Sequence, residues 1–434
     1  MKRVIVGFLV VSFSLLIKSC DTTDPPDNKS LNLKLEDVSC TEAWITLTTA
    51  NLQLPVNVIL KQNDQTRSTI NLVKVDTLLY IDSLLPNKSY QYQVSSIEYQ
   101  VSSNALNVTT MDTTSHNFSF ETFTFGDISN SVLFDVAIIS QENIWCVGEI
   151  NIADTSINGY TTYNAVHWDG NQWEFKRILY QGSFWTIRTI FAFNENDVWF
   201  SAFVRYDGQN FIELPIPPIL MGWTINKIWG SSSNDLYAVG DNGNIAHYEN
   251  SSWRKITSGT DVHLLDVWGT QDGKIVWACG ETIYKTVLVK IGNNVANIVF
   301  EGTYPMPQIK NRFSDGLLSL WTNKNNFIYI LSPYNLYRCE VTTTGEGQEL
   351  YPYDDYFKGA YVRLRGIGVN DLCTSGNKST ITHFNGINWK IYDELRDEDQ
   401  RLVGLDVIEN LLLAVGEKFE NTFYYKAIII VGRR

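Results

Sequence analysis

The sequence predicts an all-β fold, and two features carry this prediction. The apolar stretches are rich in Val, Ile, Thr, Tyr, Phe and Trp, which favour the pleated, half-buried surface of a strand, and no segment after residue 20 shows a 3.6-residue period of helical length. Short apolar runs instead alternate with turn-forming clusters, as in residues 225–256, where SSSND, GDNGN and ENSS separate four runs. Four strands joined by tight turns predict one small antiparallel sheet.

That four-strand unit recurs along residues 113–434. The second strand of each copy holds one aligned apolar position, occupied by Ile144, Val198, Leu236, Val276, Ile328, Leu372 and Leu412. Successive copies lie 54, 38, 40, 52, 44 and 40 residues apart. A period of roughly 40–45 residues with four strands per unit is typical of a β-propeller. The sequence therefore predicts a seven-bladed β-propeller over residues 113–434.

In three copies the third strand leads into an Asp-Gly or Asn-Gly pair, at residues 169–170, 207–208 and 385–386, which is a strong hairpin signal. A Trp or Phe opens the fourth strand of each of these copies. These units resemble the Trp- and Gly-rich blades of secreted bacterial propellers, but they lack the WD40 signature and the sialidase box. Residues 427–432 align with a third strand, so the last unit lacks its fourth. We predict that the apolar strand at residues 117–125 pairs with residues 427–431 and closes the ring, which would protect two strand edges.

The N-terminus predicts export. Residues 1–19 carry Lys2 and Arg3 before an apolar run that is too short to span a bilayer, which is the pattern of a signal peptide. Ile17-Lys18-Ser19-Cys20 resembles the lipobox of bacterial lipoproteins, although Lys18 stands where a small or apolar residue is usual. That resemblance implies a lipid on Cys20; the alternative is an ordinary signal peptide cut elsewhere.

Residues 20–30 read as a polar tether with two prolines. Acidic residues after the lipidated cysteine resemble signals that place lipoproteins on the cell surface in some Gram-negative lineages. In others, Asp at that position retains the protein at the inner membrane. We expect a location in the bacterial cell envelope, with the outer membrane or cell surface favoured and the leaflet open.

Residues 31–112 predict a separate domain of short alternating strands. Leu84, Pro86 and Tyr90 match the Leu-x-Pro-x-x-x-Tyr stretch of fibronectin type III domains, with Tyr90 at the place of the tyrosine corner. The resemblance implies a β-sandwich. A spacer that holds the next domain away from the membrane is favoured over an adhesion module, since the loops contain no Arg-Gly-Asp.

Composition excludes several kinds of partner and site. The net charge of −13 without a basic stripe argues against nucleic acid. No phosphate loop, dinucleotide fingerprint or Cys/His spacing for zinc occurs, so we predict no cofactor and no metal. Cys146, Cys279 and Cys373 fall inside second strands and are expected to be small buried hydrophobes. His167 and its equivalents at 247 and 383 recur on different blades, which predicts hydrogen-bonding roles.

The candidate binding site lies on loops that join each fourth strand to the next first strand. Propellers gather these loops on one face, where flat aromatic rings beside carboxylates suit sugars or peptide anchors. The predicted site residues are Trp185, Trp223, Tyr304, Tyr351, Tyr353, Asp354, Asp355 and Tyr356. The alternative is that these aromatics only cap the hydrophobic ends of the sheets.

The sequence thus predicts a membrane-anchored lipoprotein whose propeller binds a macromolecule or a glycan without catalysis. Two alternatives stay open. Carboxylates at 354–355 or 393–399 would support a hydrolase or lyase acting on polysaccharide, provided that two of them converge. A broad apolar patch would instead support a structural subunit of an envelope complex.

Overall fold

The computed structural model describes residues 28–307, 309–322, 327–341, 343, 345–351, 361–421 and 424–434. They form two compact units, one of residues up to 38 with 43–82 and 89–109, the other of residues 39–42, 83–88 and 110–434. Strands dominate both units, and the helices described are three short 3₁₀ turns at Pro218–Leu220, Asp241–Gly243 and Asp393–Leu395. None of the described helices has the length and apolar character needed to cross a bilayer. The predicted all-β class is confirmed.

The first unit contains two antiparallel sheets. Its strands are β1 (Ser30–Val38), β2 (Ala43–Ala50), β3 (Val56–Gln62), β4 (Gln65–Leu72), β5 (Asp76–Ile81), β6 (Ser89–Ser96), β7 (Val101–Ser102) and β8 (Leu106–Thr109). One sheet has the order β1-β2-β5 and the other β4-β3-β6-β7, with β8 also pairing to β6. Alternate residues point to a shared interior: Ile45 and Leu47 of β2 and Tyr92 and Val94 of β6 are fully buried.

The second unit begins with β9 (Ser119–Phe125) and continues as a series of four-stranded antiparallel sheets whose strands pair in chain order. Sheet one contains β10 (Val132–Ser140), β11 (Asn143–Ala153), β12 (Tyr160–Trp168) and β13 (Trp173–Lys176). Sheet two contains β14 (Ile190–Asn194), β15 (Asp197–Phe200), β16 (Val204–Tyr206) and β17 (Phe211–Glu213). Sheet three contains β18 (Ile225–Ser232), β19 (Asp235–Gly240), β20 (Ile245–Glu249) and β21 (Ser252–Ile256).

Sheets four to seven follow the same plan. Sheet four contains β22 (Leu264–Gly269), β23 (Val276–Glu281), β24 (Lys285–Gly292) and β25 (Val295–Thr303). Sheet five contains β26 (Ser319–Trp321), β27 (Phe327–Leu331), β28 (Leu336–Glu340) and β29 (Gln348–Tyr351). Sheet six contains β30 (Tyr361–Gly368), β31 (Asp371–Gly376), β32 (Ile381–Phe384) and β33 (Trp389–Ile391). Sheet seven contains β34 (Gln400–Ile408), β35 (Leu411–Asn421), β36 (Tyr424–Arg433) and, as its outermost strand, β9.

The strand that precedes sheet one supplies the missing strand of sheet seven. β9 runs antiparallel to β36, with Phe125 opposite Ala427 and Ser119 opposite Arg433. This is the pairing predicted for residues 117–125 and 427–431. It places two segments about 300 residues apart in sequence into one sheet and leaves neither β36 nor β9 without a ladder partner.

Each pair of consecutive sheets shares a hydrophobic core. Leu236 and Ala238 of sheet three, for example, pack with Trp199 of sheet two. The seventh sheet shares a core with the first, in which Val415 and Ile429 pack with Cys146 and Val166. The sheets therefore form a ring, because sheets one and seven are neighbours in space. Cys146, Cys279 and Cys373 are buried in these cores, as predicted from their positions.

Two sequence signals of the repeat have direct structural causes. In the turn after β12, Gly170 adopts a φ of 95° and the Asp169 carboxylate accepts hydrogen bonds from the backbone N–H groups of residues 171 and 172. The glycine that ends a second strand is required by close packing rather than by its backbone conformation. A Cβ on Gly240 would lie 2.0 Å from the Thr224 carbonyl oxygen, so the first strand could not approach any larger residue.

Candidate functional site

A cavity of about 970 Å³ opens where the first strands of the seven sheets begin. Its lining residues come from five of the sheets and from the segments next to sheets two and five, and they include Phe134 of sheet one, Arg188 just before sheet two and Asn226 of sheet three. The loops from each fourth strand to the next first strand lie at the same end. We call this space the funnel.

The funnel wall combines charges with aromatic rings. Its cations are Arg188, Arg363, Lys378 and Arg401, and its carboxylates are Glu281, Glu398 and Glu417. Four of these groups form two pairs along the wall: Lys378 Nζ lies 2.6 Å from Glu398, and Arg401 lies 3.7 Å from Glu417. Such a surface offers both signs of charge to a bound molecule.

The aromatic part of the wall comes from sheets one and seven. Phe419 and Tyr425 face each other across the β35–β36 hairpin, with ring centroids 5.8 Å apart, and both line the funnel. Phe419 is 41% exposed, so a ligand would bury apolar surface against it. Phe134 lines the opposite side of the seam between these two sheets. Aromatic rings beside charged groups are typical of binding pockets.

Buried ions lie on the first strands, one to three residues beyond the residues that line the funnel, and we call this group the ionic floor. Asp135 accepts hydrogen bonds from the Thr189 hydroxyl (3.0 Å) and the Ile190 backbone N–H (3.0 Å), and both of its carboxylate oxygens contact Lys227 Nζ (2.7 and 2.6 Å). Lys227 is 3% exposed. Burial lowers the pKa of Lys227, while the Asp135 carboxylate opposes that shift. One carboxylate thus ties sheet one to the first strands of the next two sheets.

The same arrangement recurs half-way round the ring. Asp266 of sheet four accepts hydrogen bonds from the Leu320 backbone N–H (3.1 Å) and the Ser319 hydroxyl of sheet five, and from Arg365 of sheet six (3.0 Å). Burial alone would raise the pKa of Asp266, but the guanidinium groups of Arg365 and Arg363 outweigh it and hold that pKa well below its usual range. The aspartate is ionised and fully compensated.

Asp406 of sheet seven completes the floor, and among the described residues it has no ion-pair partner. Its two oxygens accept hydrogen bonds from the backbone N–H groups of Ile138 (2.8 Å) and Val407 (2.9 Å). Burial raises the pKa of Asp406 to about 6. Lys227, Arg365 and Asp406 also line a second cavity of about 210 Å³. Along the first strands, the ionic floor therefore lies between the residues that line the funnel and those that line the second cavity.

Two wall carboxyls have raised pKa values. Burial raises the pKa of Glu281, which accepts a hydrogen bond from the Tyr304 hydroxyl at 3.1 Å. Burial likewise raises the pKa of Glu417, against the opposing effect of Arg401. Carboxyls that stay protonated nearer to neutral pH are the groups from which general acids are drawn.

Three of the predicted site residues are half-buried on the loops at the funnel end. Trp185 packs against Phe203, with ring centroids 6.0 Å apart, in the core between sheets one and two. Trp223 packs between sheets two and three, with Lys255 Nζ 5.4 Å from its ring centroid. Tyr304 bonds Glu281, which lines the funnel. These residues belong to different loops, and none of the three is itself part of the funnel wall.

The other predicted site residues lie outside the part of the chain that the structure describes. Cys20, Tyr353, Asp354, Asp355 and Tyr356 fall in undescribed segments, and for Tyr351 only the backbone at the end of β29 is described. The acidic stretch at residues 393–399 is described: Glu398 reaches the funnel wall, whereas Asp397 contacts Lys418 at 3.4 Å. Its members are solvated or paired.

The repeated histidines hydrogen-bond as predicted. His247 contacts Asp235 at 2.6 Å and Asn294 of the next sheet at 2.5 Å, while its ring stacks on Tyr237. His167 bonds Asn143 at 3.0 Å in the equivalent place. Arg205 takes this position in sheet two and pairs with Asp197 at 2.6 Å.

The equivalent position in sheet six brings three metal-binding types of side chain together. The donor atoms of Asp371, Cys373 and His383 lie within 4.8 Å of one another. The Arg434 guanidinium contacts the Asp371 carboxylate and lies 3.2 Å from His383 Nε2, and His116 Nδ1 lies 2.8 Å from His383 Nδ1. A cation of the protein itself, Arg434, therefore pairs with the Asp371 carboxylate in this group.

No protein-family model matches the chain, and no curated protein sequence matches it. Among solved structures, the chain is similar to YCF48 bound to a D1 peptide, with a TM-score of 0.53 and 12% identity over 74% of this chain and 99% of that one. It is also similar to YCF48 from Cyanidioschyzon merolae, with a TM-score of 0.49 and 12% identity over 72% and 98%. The fold is a β-propeller. At this identity the likeness extends to the fold alone.

The propeller frame explains which residues the sequence did not identify as site residues. Two of them, Arg188 and Phe134, line the funnel because they lie at or just before the start of a first strand. Two others, Phe419 and Tyr425, line it from the β35–β36 hairpin. A repeat alignment extended to the two residues before each first strand would have placed Arg188 there. Nothing in the local sequence marks Phe419 and Tyr425 as wall residues.

Proposed function

We propose that the chain is a non-catalytic binding protein of the bacterial cell envelope whose propeller takes up a segment of another protein in the funnel. The observation that carries this proposal is the funnel itself, a cavity of about 970 Å³ that combines half-buried and exposed aromatic rings with charges of both signs. An extended peptide presents apolar side chains, charges and backbone groups in close succession, and such a wall can contact all three. YCF48, a protein of similar fold, has been solved with a bound D1 peptide.

The anchor and the spacer are part of the same proposal. The signal-like residues 1–19 and Cys20 support lipidation, and the polar residues that follow support a tether. Eight strands in two antiparallel sheets with a common interior support the fibronectin-type sandwich expected for residues 31–112. Together they would hold the propeller away from the membrane while the funnel remains accessible.

A phage-displayed dodecapeptide library selected on the full chain tests the proposed function. We expect enriched peptides, and a Phe419→Ala, Tyr425→Ala double variant should bind them at least about tenfold more weakly, because it removes the apolar wall. Tyr284→Ala is the matched control, since Tyr284 is 68% exposed on a loop outside the funnel wall. Failure to enrich any peptide, equal binding by the double variant, or binding of glycans on an array in place of peptides would refute the proposal.

A second candidate, hydrolysis of a polysaccharide, is favoured by one observation. Glu281 and Glu417 line the same cavity, and burial raises the pKa of both. A hydrolase needs one such acid and a second carboxylate across the scissile bond. Release of reducing ends from envelope polysaccharides by the full chain, lost in Glu281→Gln or Glu417→Gln, would establish this activity in place of the binding function.

A further inference from the structure

Arg188 combines a fixed backbone with an exposed guanidinium group in the funnel wall. It precedes Thr189, whose hydroxyl donates to Asp135 in the ionic floor, so the backbone at this point is fixed to sheet one. The side chain is exposed, and its guanidinium lies 4.9 Å from the centroid of the Phe134 ring. Stacking on an aromatic ring holds a guanidinium in one plane while its N–H groups stay free to bind at the edge.

The other cations of the wall already have carboxylate partners. Lys378 pairs with Glu398 at 2.6 Å, Arg401 with Glu417 at 3.7 Å, and Arg363 with Asp266 at 3.3 Å. The described residues provide no ion pair for Arg188. A positive charge in a concave wall is then left uncompensated within a chain whose net charge is −13.

We infer that Arg188 is a specificity residue that pairs with a carboxylate of the bound segment. This inference rests on the proposed uptake of a protein segment in the funnel. The planar guanidinium offers two parallel N–H donors, which match a carboxylate in a bidentate pair. The Phe134 ring below it, with Phe419 and Tyr425 on the same seam, contacts the apolar part of the segment.

The carboxylate has two sources in a protein ligand, an Asp or Glu side chain and the chain terminus. The chemistry at Arg188 is the same for both. Synthetic versions of the library-selected peptides separate them: one set replaces Asp and Glu by Asn and Gln, and the other carries an amidated C-terminus. The set that loses affinity for the wild-type protein identifies the source.

The decisive comparison is between Arg188→Gln and Arg177→Gln. Arg177 is also exposed and lies over a phenylalanine, 5.8 Å from the Phe184 ring centroid, but it does not line the funnel. We expect Arg188→Gln to weaken binding of acidic peptides about tenfold or more, in line with charge-assisted pairs at interfaces, and Arg177→Gln to leave it unchanged. Arg188→Gln should add no further loss for peptides that are already neutralised.

The outcomes separate this inference from the proposed function. Peptides that bind the wild-type chain through Phe419 and Tyr425, but bind Arg188→Gln equally well or do not depend on a carboxylate, would overturn the role of Arg188 and leave peptide uptake intact. A wild-type chain that enriches no peptide would overturn both.

Discussion

At the scale of single residues, the centre of this propeller is held by charges that are buried and paired. Asp135 with Lys227 and Asp266 with Arg365 are each almost completely buried, and each aspartate also accepts a hydrogen bond from a backbone N–H of the next sheet. Removing one partner of such a pair would destabilise the fold, because the other charge would remain buried without compensation. The pairs therefore hold the first strands of neighbouring sheets together. Asp406 differs because backbone N–H groups, rather than a cation, are its nearest partners.

The raised pKa of Asp406 predicts a pH dependence of stability. Its pKa is about 6 in the folded chain against an ordinary value of 3.8, so between about pH 4 and pH 6 the folded state retains a proton that the unfolded state releases. Stability from this group is therefore full below about pH 4 and falls as pH rises, by about 3 kcal/mol in total. We expect the free energy of unfolding of Asp406→Asn, relative to wild type, to improve by about this amount between pH 4 and pH 7.

Urea titrations of both proteins at several pH values provide the measurement. The asparagine side chain of the variant would keep one carbonyl oxygen for two N–H groups, which adds a cost that does not vary with pH. Only the slope of the difference against pH therefore tests the assignment. A difference that stays constant from pH 4 to pH 7 would show that folding does not raise the pKa of Asp406.

At the scale of elements, β9 joins the two ends of the second unit. Phe123 and Phe125 on one face of this strand pack into the core shared by sheets one and seven, and Phe123 lies against Trp173 at a ring separation of 5.8 Å. Thr122 and Thr124 on the other face are exposed. The strand therefore contributes both a hydrogen-bonded ladder and apolar surface to the junction of the first and last sheets.

Truncating the apolar face of β9 should destabilise the whole ring. We expect Phe123→Ala with Phe125→Ala to lower the free energy of unfolding by about 2–4 kcal/mol, below the range for fully buried phenylalanines because both rings are half-buried. Thr122→Ala with Thr124→Ala is the matched control and should cost within about 1 kcal/mol. Thermal unfolding by circular dichroism distinguishes the pairs. Equal losses in both would mean that the ladder alone joins the sheets.

At the scale of the whole molecule, the proposed arrangement is an anchor, a spacer and a propeller in chain order. This order matters because a short tether keeps the propeller close to the membrane. The fraction of propeller that is occupied then depends on the local concentration of the partner at that membrane. A funnel with an affinity that would be weak in solution can therefore be occupied at a membrane surface.

Lipidation of Cys20 has a direct test. In a bacterial host, wild-type protein should incorporate a labelled fatty acid and fractionate with membranes, whereas Cys20→Ser should lose both properties because two or more acyl chains are needed for stable anchoring. Cys40→Ser should retain the label, which ties the modification to one cysteine. A Cys20→Ser protein that still carries the label would place the modification elsewhere.

Local sequence was sufficient for the class of fold and for its repeats. Strand length, Asp-Gly turns and the glycine that ends a second strand are set by interactions within a unit of about 40 residues, and the pairing of β9 with β36 followed from one unit that lacked a strand. The candidate site was less accessible to sequence. The local sequence around loop aromatics such as Trp185 and Trp223 does not distinguish a ring that faces solvent from one that packs on a core. In the structure both rings are half-buried against neighbouring sheets.

What the sequence determined by itself is therefore the repeat, the strands and the turns, together with the signal-like N-terminus. The tertiary structure decided which side chains meet on the axis of the ring. Asp266 and Arg365 are 99 residues apart, and Arg188 comes to share a wall with residues of sheets six and seven. The sequence repeat does not predict which charged side chains meet, because these contacts depend on how the seven sheets pack against one another in the ring.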